Sequence, residues 1–262
     1  MCKITPDYSI CLSCFHISKL NTITNVPLYT KANRAIIYND VFLQYLFREL
    51  EDLIGSKNKI NIASVDGFDT IILDLIKSRF SGDVKTTSIS EKFNPSYFSD
   101  HKCYKLSLDM YTSMDNYDKF DVIILNSSLD YISDPISLLK RCKMICNNDG
   151  CIYTMNLHVS ILLSFDYINT VTEHIWSTHS VKKLCKYSEL LLSDTYKVPI
   201  LDGEVPLPYS NYRIYKILNC DNNDDEWTTK ILEDVYDEIC KGFYDIESYR
   251  CIKKFWSLYM NL

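Results

Sequence analysis

The stretch YDKFDVIILNSSLDYISDPISLLKRCKMICNNDGCIYTMN, Tyr117 to Asn156, decides how this chain folds. Val122, Ile123, Ile124 and Leu125 form an unbroken apolar run between polar residues, the pattern of a strand covered on both faces of a parallel sheet. Asp134 followed by Pro135 reads as an N-cap and first helical residue. Ile136, Leu138, Leu139, Cys142 and Ile145 then recur at helical spacing. Gly150 is expected to release the chain into the next strand, Cys151 to Met155. The resulting β-α-β unit puts the loop from Asn126 to Asp134 at the carboxyl end of a strand, where open α/β sheets bind ligands.

Outward from this unit the same alternation continues. Val41, Phe42, Tyr45, Leu46, Leu50, Leu53 and Ile54 share one face of a helix that starts at Asn39, and Gly55 is expected to end it. Strand Ile60 to Ala63, helix Thr70 to Arg79 and strand Val84 to Ile89 precede the central unit. Helix Val181 to Tyr187 and strands Leu190 to Lys197 and Tyr212 to Leu218 follow it. Such alternation predicts an α/β fold with a mainly parallel, Rossmann-like sheet flanked by helices. Residues 1–38 carry a CxxC pair and little periodicity. After Asn219 the polar DNNDDE leads into two runs at helical spacing broken by Gly242, so 220–262 reads as a C-terminal αα-hairpin. Three parts are thus expected: 1–38, 39–219 and 220–262.

Composition narrows the function classes. A chain of 262 residues can bury one sizeable core, and 47% hydrophobic with 24% charged residues is ordinary for a globular protein. A formal charge of -6 offers no basic footprint for nucleic acid or an anionic membrane. No apolar run reaches the roughly 20 residues of a membrane span, and the N-terminus has no signal-peptide core, so a cytoplasmic protein is expected. The 11 cysteines stand mostly singly inside apolar patterns, as small buried hydrophobes in a reducing compartment do. Only 6 glycines occur, where average usage near 7% would give about eighteen. Frequent Ile, Asn, Lys and Tyr suggest an AT-biased genome, such as that of a large DNA virus or a parasite; a viral origin would put the protein in host cytoplasm.

FDVIILNSSLDYISDPISLLKRCKMICNNDG resembles the fourth strand, following helix and turn of class I S-adenosylmethionine-dependent methyltransferases. The resemblance implies that fold and that cofactor. It places INIASVDGFDT at the family's glycine turn: Asn61 stands for the acid, Ala63 and Val65 for the first two glycines, and Gly67 remains, with Asp66 beside the helix N-terminus. Ser88 stands at the ribose-binding acid, Asp109 and Met110 at the adenine contact, and Asn126 and Ser127 in the loop facing the methionine end. Replacing the ribose acid by a hydroxyl gives up about 1.5 to 3 kcal/mol of charge-assisted hydrogen bonding.

Three shorter segments resemble one branch, the C-methyltransferases of nucleotide-linked deoxysugars. YSICLSCFHISKLN is similar to part of their zinc-binding module, TVTEHIWSTHSVKKL to their EH motif, and PYSNYRIYKI to their closing strand. C-methylation beside a carbonyl needs a base to take a proton, and the motif implies His174 for it with Glu173 to orient the ring. Cys11 and Cys14 stand at zinc-ligand spacing, with Cys2 and His16 as candidates to complete four ligands, so zinc is a secondary expectation. A methyltransferase acting on a small molecule, with a nucleotide-linked deoxysugar as the candidate acceptor, is the function so implied. The alternative is a catalytically inactive scaffold in which 220–262 docks a protein partner or a second copy.

Overall fold

The computed structural model describes residues 2–3, 8–11, 16–19, 40–57, 59–65, 71–80, 82–91, 102–125, 128–158, 173–197, 201–202, 205–206 and 212–219. The expected hairpin at 220–262 lies outside them. In chain order the elements begin with β1 (Cys2–Lys3), β2 (Tyr8–Ile10), β3 (Ile17–Lys19), α1 (Asp40–Lys57), β4 (Ile60–Val65), α2 (Ile71–Arg79) and β5 (Val84–Ile89). Next come β6 (Lys102–Tyr104), α3 (Leu108–Thr112), β7 (Phe120–Ile124), a 3-10 turn (Ser128–Asp130), α4 (Pro135–Ile145) and β8 (Cys146–Leu157). The last are β9 (His174–Ile175), α5 (Thr178–Tyr187), β10 (Leu191–Lys197), β11 (Leu201–Asp202), β12 (Val205–Pro206) and β13 (Tyr212–Leu218).

Seven strands form the main sheet in the order β10-β13-β8-β7-β4-β5-β6. All run parallel except β13, which pairs antiparallel with β8 on one side and β10 on the other. This mixed sheet with flanking helices fits the Rossmann-like methyltransferase fold that the resemblance implied. Its two faces have separate cores. Phe42, Leu46 and Leu50 of α1 and Leu73 and Ile76 of α2 cover one, over Ile62, Ile124 and Tyr153. Leu138, Leu139 and Cys142 of α4 and Val181 and Leu184 of α5 cover the other, over Ala63, Ile123 and Ile152. Burial on both sides is why the central strands are apolar without alternation. Among the described residues no helix is long and apolar enough to cross a membrane.

The capping expected at α4 is present: the Asp134 carboxylate accepts from the Ser137 N–H at 3.0 Å and the Ser137 hydroxyl at 2.6 Å. Helix α5 starts three residues before its expected first residue, because Ser177 and Ser180 form a reciprocal capping box. Two glycine readings need correction. Gly55 lies inside α1, which runs on to Lys57, and the Ser56 hydroxyl bonds back to the Leu53 carbonyl at 2.8 Å. Gly150 does not release α4 into β8, since the strand already begins at Cys146.

Gly150 instead serves close packing. The register of β7 on β8 passes from Phe120 opposite Cys146 to Val122 opposite Cys151, so 147–150 bulge out beside Asp121. A Cβ on Gly150 would lie 2.7 Å from Cys146 Sγ and 3.0 Å from the carbonyl oxygens of Asn147 and Asp121. The Asp121 carboxylate ties this bulge to β4 and α1, accepting from the Asn61 N–H at 2.8 Å, Asn147 Nδ2 at 2.9 Å and Lys57 Nζ at 3.0 Å. Burial alone would raise its pKa, but these donors outweigh burial and hold it below the usual value.

β1, β2 and β3 form a small antiparallel sheet that β9 completes, with Ile17 opposite Ile175 and Ser18 opposite His174. Segment 16–19 is thereby fixed to the residues just before α5.

Gly150→Ala should cost about 1–3 kcal/mol by overpacking against two backbone oxygens, read as a lower urea midpoint. Asp121→Asn should lower stability by about 1.5–3 kcal/mol at neutral pH. Because the folded carboxyl sits below its unfolded value near 3.9, that contribution is complete above about pH 4 and disappears as pH falls through the folded value. Urea melts of both proteins across that range check it; a difference that persists unchanged at lower pH contradicts the assignment.

Candidate functional site

Strand order reverses between β4 and β7. From β4 the chain winds outward to β5 and β6, then returns to lay β7 and β8 on the other side. Such a reversal opens a crevice at the carboxyl ends of the two strands. The hydroxyl of Ser128 spans this point, donating to the carbonyls of Val65 at 3.3 Å and of Leu125.

The turn after β7 is anchored by a buried acid. Asp130 is fully enclosed, and its carboxylate accepts from Asn156 Nδ2 at 2.8 Å and the Leu157 N–H at 3.0 Å, both on β8. The Thr154 hydroxyl holds Asn156 Oδ1 at 2.6 Å, extending the chain. Burial raises the Asp130 carboxyl well above the usual range, against the opposing effect of these donors. The backbone of the same turn receives the segment around β9: the Glu173 N–H donates to Asp130 O at 2.8 Å, and the Trp176 N–H to Leu157 O at 2.9 Å.

His174 is thus brought to the carboxyl edge. Its Nε2 lies 2.8 Å from the Ile132 carbonyl and its Nδ1 lies 3.1 Å from His16 Nε2. A carbonyl can only accept, so Nε2 of His174 carries a proton and, in the neutral ring, Nδ1 accepts from His16. The two imidazoles and the Trp176 indole form a packed aromatic group, with His16 stacked on the indole at 4.5 Å between ring centres. Burial lowers both histidines, and His16, which also faces His174, falls to about 4. Glu173 beside them is raised by burial, partly countered by the Lys19 charge. The groups that hold the His174 ring are Ile132 and His16.

The other expected residues are placed as follows. Asp66, Gly67, Asn126, Ser127 and Cys14 lie outside the described residues. Ala63 is fully buried in the core beneath α4. Asp109 and Met110 sit on α3, both largely exposed, and the Asp109 carboxylate pairs with the Arg141 guanidinium of α4. Ser88 is enclosed, 1% exposed, and its hydroxyl has no hydrogen-bond partner among the described residues. Cys11 is half-buried and not in a disulfide. No group of three or more potential metal ligands occurs among the described residues.

Asp130 and Asn156 escaped the sequence reading, and His16 entered it only as a metal ligand. Asp130 had a signal, an acid one turn beyond a buried strand at the ligand-binding edge. A hollow of about 400 Å³ lies at the opposite, amino edge of the sheet, lined by Asn61, Lys77, Lys85, Thr87, Lys102 and Asp118.

No family model matches the chain. It is 28% identical over 80 residues to a ubiquinone biosynthesis O-methyltransferase of Actinobacillus pleuropneumoniae serotype 5b (strain L20), covering 28% of this chain and 33% of that protein. It is 27% identical over 82 residues to the enzyme so named in Haemophilus ducreyi, covering 29% and 34%. The chain therefore spans about a third of the length of the curated relatives it matches. Among solved structures it is similar to 1,6-didemethyltoxoflavin-N1-methyltransferase of Burkholderia thailandensis, with TM-score 0.48, 10% identity and 84% and 98% of the two chains covered. A second is an S-adenosylmethionine-dependent methyltransferase from Clostridium acetobutylicum, with TM-score 0.49, 10% identity and 71% and 94% covered. These scores mark a loose likeness of outline; the strand order itself defines the fold.

Ser88→Ala removes an enclosed hydroxyl whose unmet hydrogen bonding costs about 1–3 kcal/mol. The variant should melt at a higher temperature by calorimetry, and a lower melting temperature would show that the hydroxyl is bonded.

Proposed function

We propose that the chain is an S-adenosylmethionine-dependent methyltransferase acting on a small molecule, with a nucleotide-linked deoxysugar as the acceptor class. The observation that carries this reading is the convergence at the β4–β7 reversal: the Ser128 bridge, the Asp130 anchor and the His16–His174 pair all meet the carboxyl edge of a methyltransferase-type sheet.

The residues fit the cofactor in part. Ser88 supplies an orphaned hydroxyl at the end of β5, where the family's ribose contact stands, and Asp109 with Met110 stands at the adenine contact. On the family's pattern, Asp66, Gly67, Asn126 and Ser127 would serve the amino-acid end. When bound, the cofactor supplies an electrophilic methyl group on a sulfonium. The chain's own contribution is positioning, together with a base near His174 for an acceptor carbon that must lose a proton.

The inactive-scaffold reading draws on two observations. The Asp109 carboxylate is already engaged by Arg141, and Ser88 gives no charge to the ribose hydroxyls. The two readings part on ligand binding. S-adenosylhomocysteine at millimolar concentration should raise the melting temperature, and Asp109→Ala should abolish the rise. No rise in the unaltered protein favours the scaffold; a rise that survives the substitution removes Asp109 from the site.

A further inference from the structure

The hollow at the amino edge sits at the opposite end of the strands from the crevice where open α/β sheets take their ligands, and methyl transfer gives it no role. Its origin is in the strand register. Successive residues of a strand point to opposite faces. Ala63 and Val65 of β4 and Ile89 of β5 belong to the apolar core beneath α4. The same face continues toward the amino edge as Asn61 on β4 and as Thr87 and Lys85 on β5, with Asn61 opposite Lys85 and Ala63 opposite Thr87. Lys102, which opens β6, lies opposite Thr87 in turn. A polar row thus crosses three strands where the apolar core stops. Because β6 is only three residues long, no strand borders 84–86 on that side among the described residues. The space left, about 400 Å³, falls within the range of small-molecule pockets, about 300–1,000 Å³.

Charge decides what would fill it. Lys77 of α2, Lys85 and Lys102 line the hollow against a single carboxylate, Asp118. Asp118 is spent on the Lys102 ammonium, and its backbone is fixed by the buried Tyr111, whose hydroxyl accepts from the Asp118 N–H at 3.1 Å. Lys85 is the one exposed residue of β5, and its ammonium has no partner among the described residues. Two positive charges therefore stand in excess around one space, in a chain whose formal charge is -6. Like charges so gathered repel, and an anion between them removes the repulsion. We propose that this hollow is a second ligand site, for the phosphate monoester of a small polyhydroxylated molecule, a sugar phosphate. A phosphate monoester matches the excess charge, and ammonium groups bind phosphate as point charges. The wall beside the cations offers the Asn61 amide and the Thr87 hydroxyl, which suit a hydroxylated body. The Phe120 ring also lines the hollow, but it is almost wholly buried and gives no face on which a nucleobase could stack.

The test titrates the whole protein with ribose 5-phosphate and glucose 1-phosphate by calorimetry at low salt, with ribose, glucose and inorganic phosphate as controls. Both sugar phosphates should bind at millimolar concentration or below, the neutral sugars should not, and added salt should weaken the binding. Lys85→Gln, a change at an exposed side chain, should keep the melting temperature and weaken binding about tenfold or more, as losing one charge-assisted hydrogen bond does. A readout that needs no variant is acetylation of the folded protein followed by mass spectrometry: ribose 5-phosphate should shield Lys77 and Lys85, and ribose should shield neither. Unchanged affinity in Lys85→Gln, or neither binding nor shielding in the unaltered protein, overturns the site. Inorganic phosphate bound as tightly as the sugar phosphates leaves an adventitious ion only and overturns the ligand class. A single-stranded oligonucleotide held through Lys85 more tightly than either sugar phosphate overturns it in favour of nucleic acid. Binding abolished by saturating S-adenosylhomocysteine puts the phosphate in the carboxyl-edge crevice and overturns the placement, whereas binding that persists beside it supports two separate sites.

Discussion

The carboxylate of Asp130, shut away from water and held by Asn156 and the Leu157 N–H, is the contact on which the carboxyl edge depends. It fixes the turn between β7 and α4 onto β8. That turn in turn presents two carbonyls, Asp130 O to the Glu173 N–H and Ile132 O to His174 Nε2. Removing the carboxylate would leave an amide donor and a backbone donor buried without partners, each a cost of about 1–3 kcal/mol. The loss would reach β9, and through it the N-terminal sheet, because both are registered on that turn.

A second anchor at the opposite edge makes the first effective. Asp121 draws together β4, α1 and the bulge before Gly150, with Lys57 also reaching Asp149 at 2.7 Å. The two acids sit at either end of the same strand-turn unit, one on β7 and one on the turn after it. Their environments push them apart: Asp121 lies among donors strong enough to keep it ionised, whereas burial dominates Asp130. The central unit is therefore rigid at both ends, which is what a positioning site needs.

Much of the architecture was legible because it is local. Apolar runs with capped helices between them announce a parallel sheet, and the strands around Val84 and Tyr212 begin where the pattern placed them. What local pattern could not carry were contacts closed over long sequence distances. His16 and His174 are 158 residues apart, and no periodicity links them. The Asp109–Arg141 pair and the β3–β9 pairing are of the same kind. Gly150 misled for a related reason: a glycine after a helix reads as a stop, but here the space beside Cys146 and Asp121 excludes a side chain. Short β6 and α3 were missed because three and five residues are too few to show a period.

A crystal structure with S-adenosylhomocysteine bound tests the central claim most directly, that the reversal between β4 and β7 still admits an adenosyl group. The account predicts the ribose beside Ser88, the adenine beside Asp109 and Met110, and the sulfur turned toward the Ser128 turn on the side of His16. Electron density for the ligand anywhere else, or side chains filling that edge with the ligand absent at saturating concentration, would contradict it.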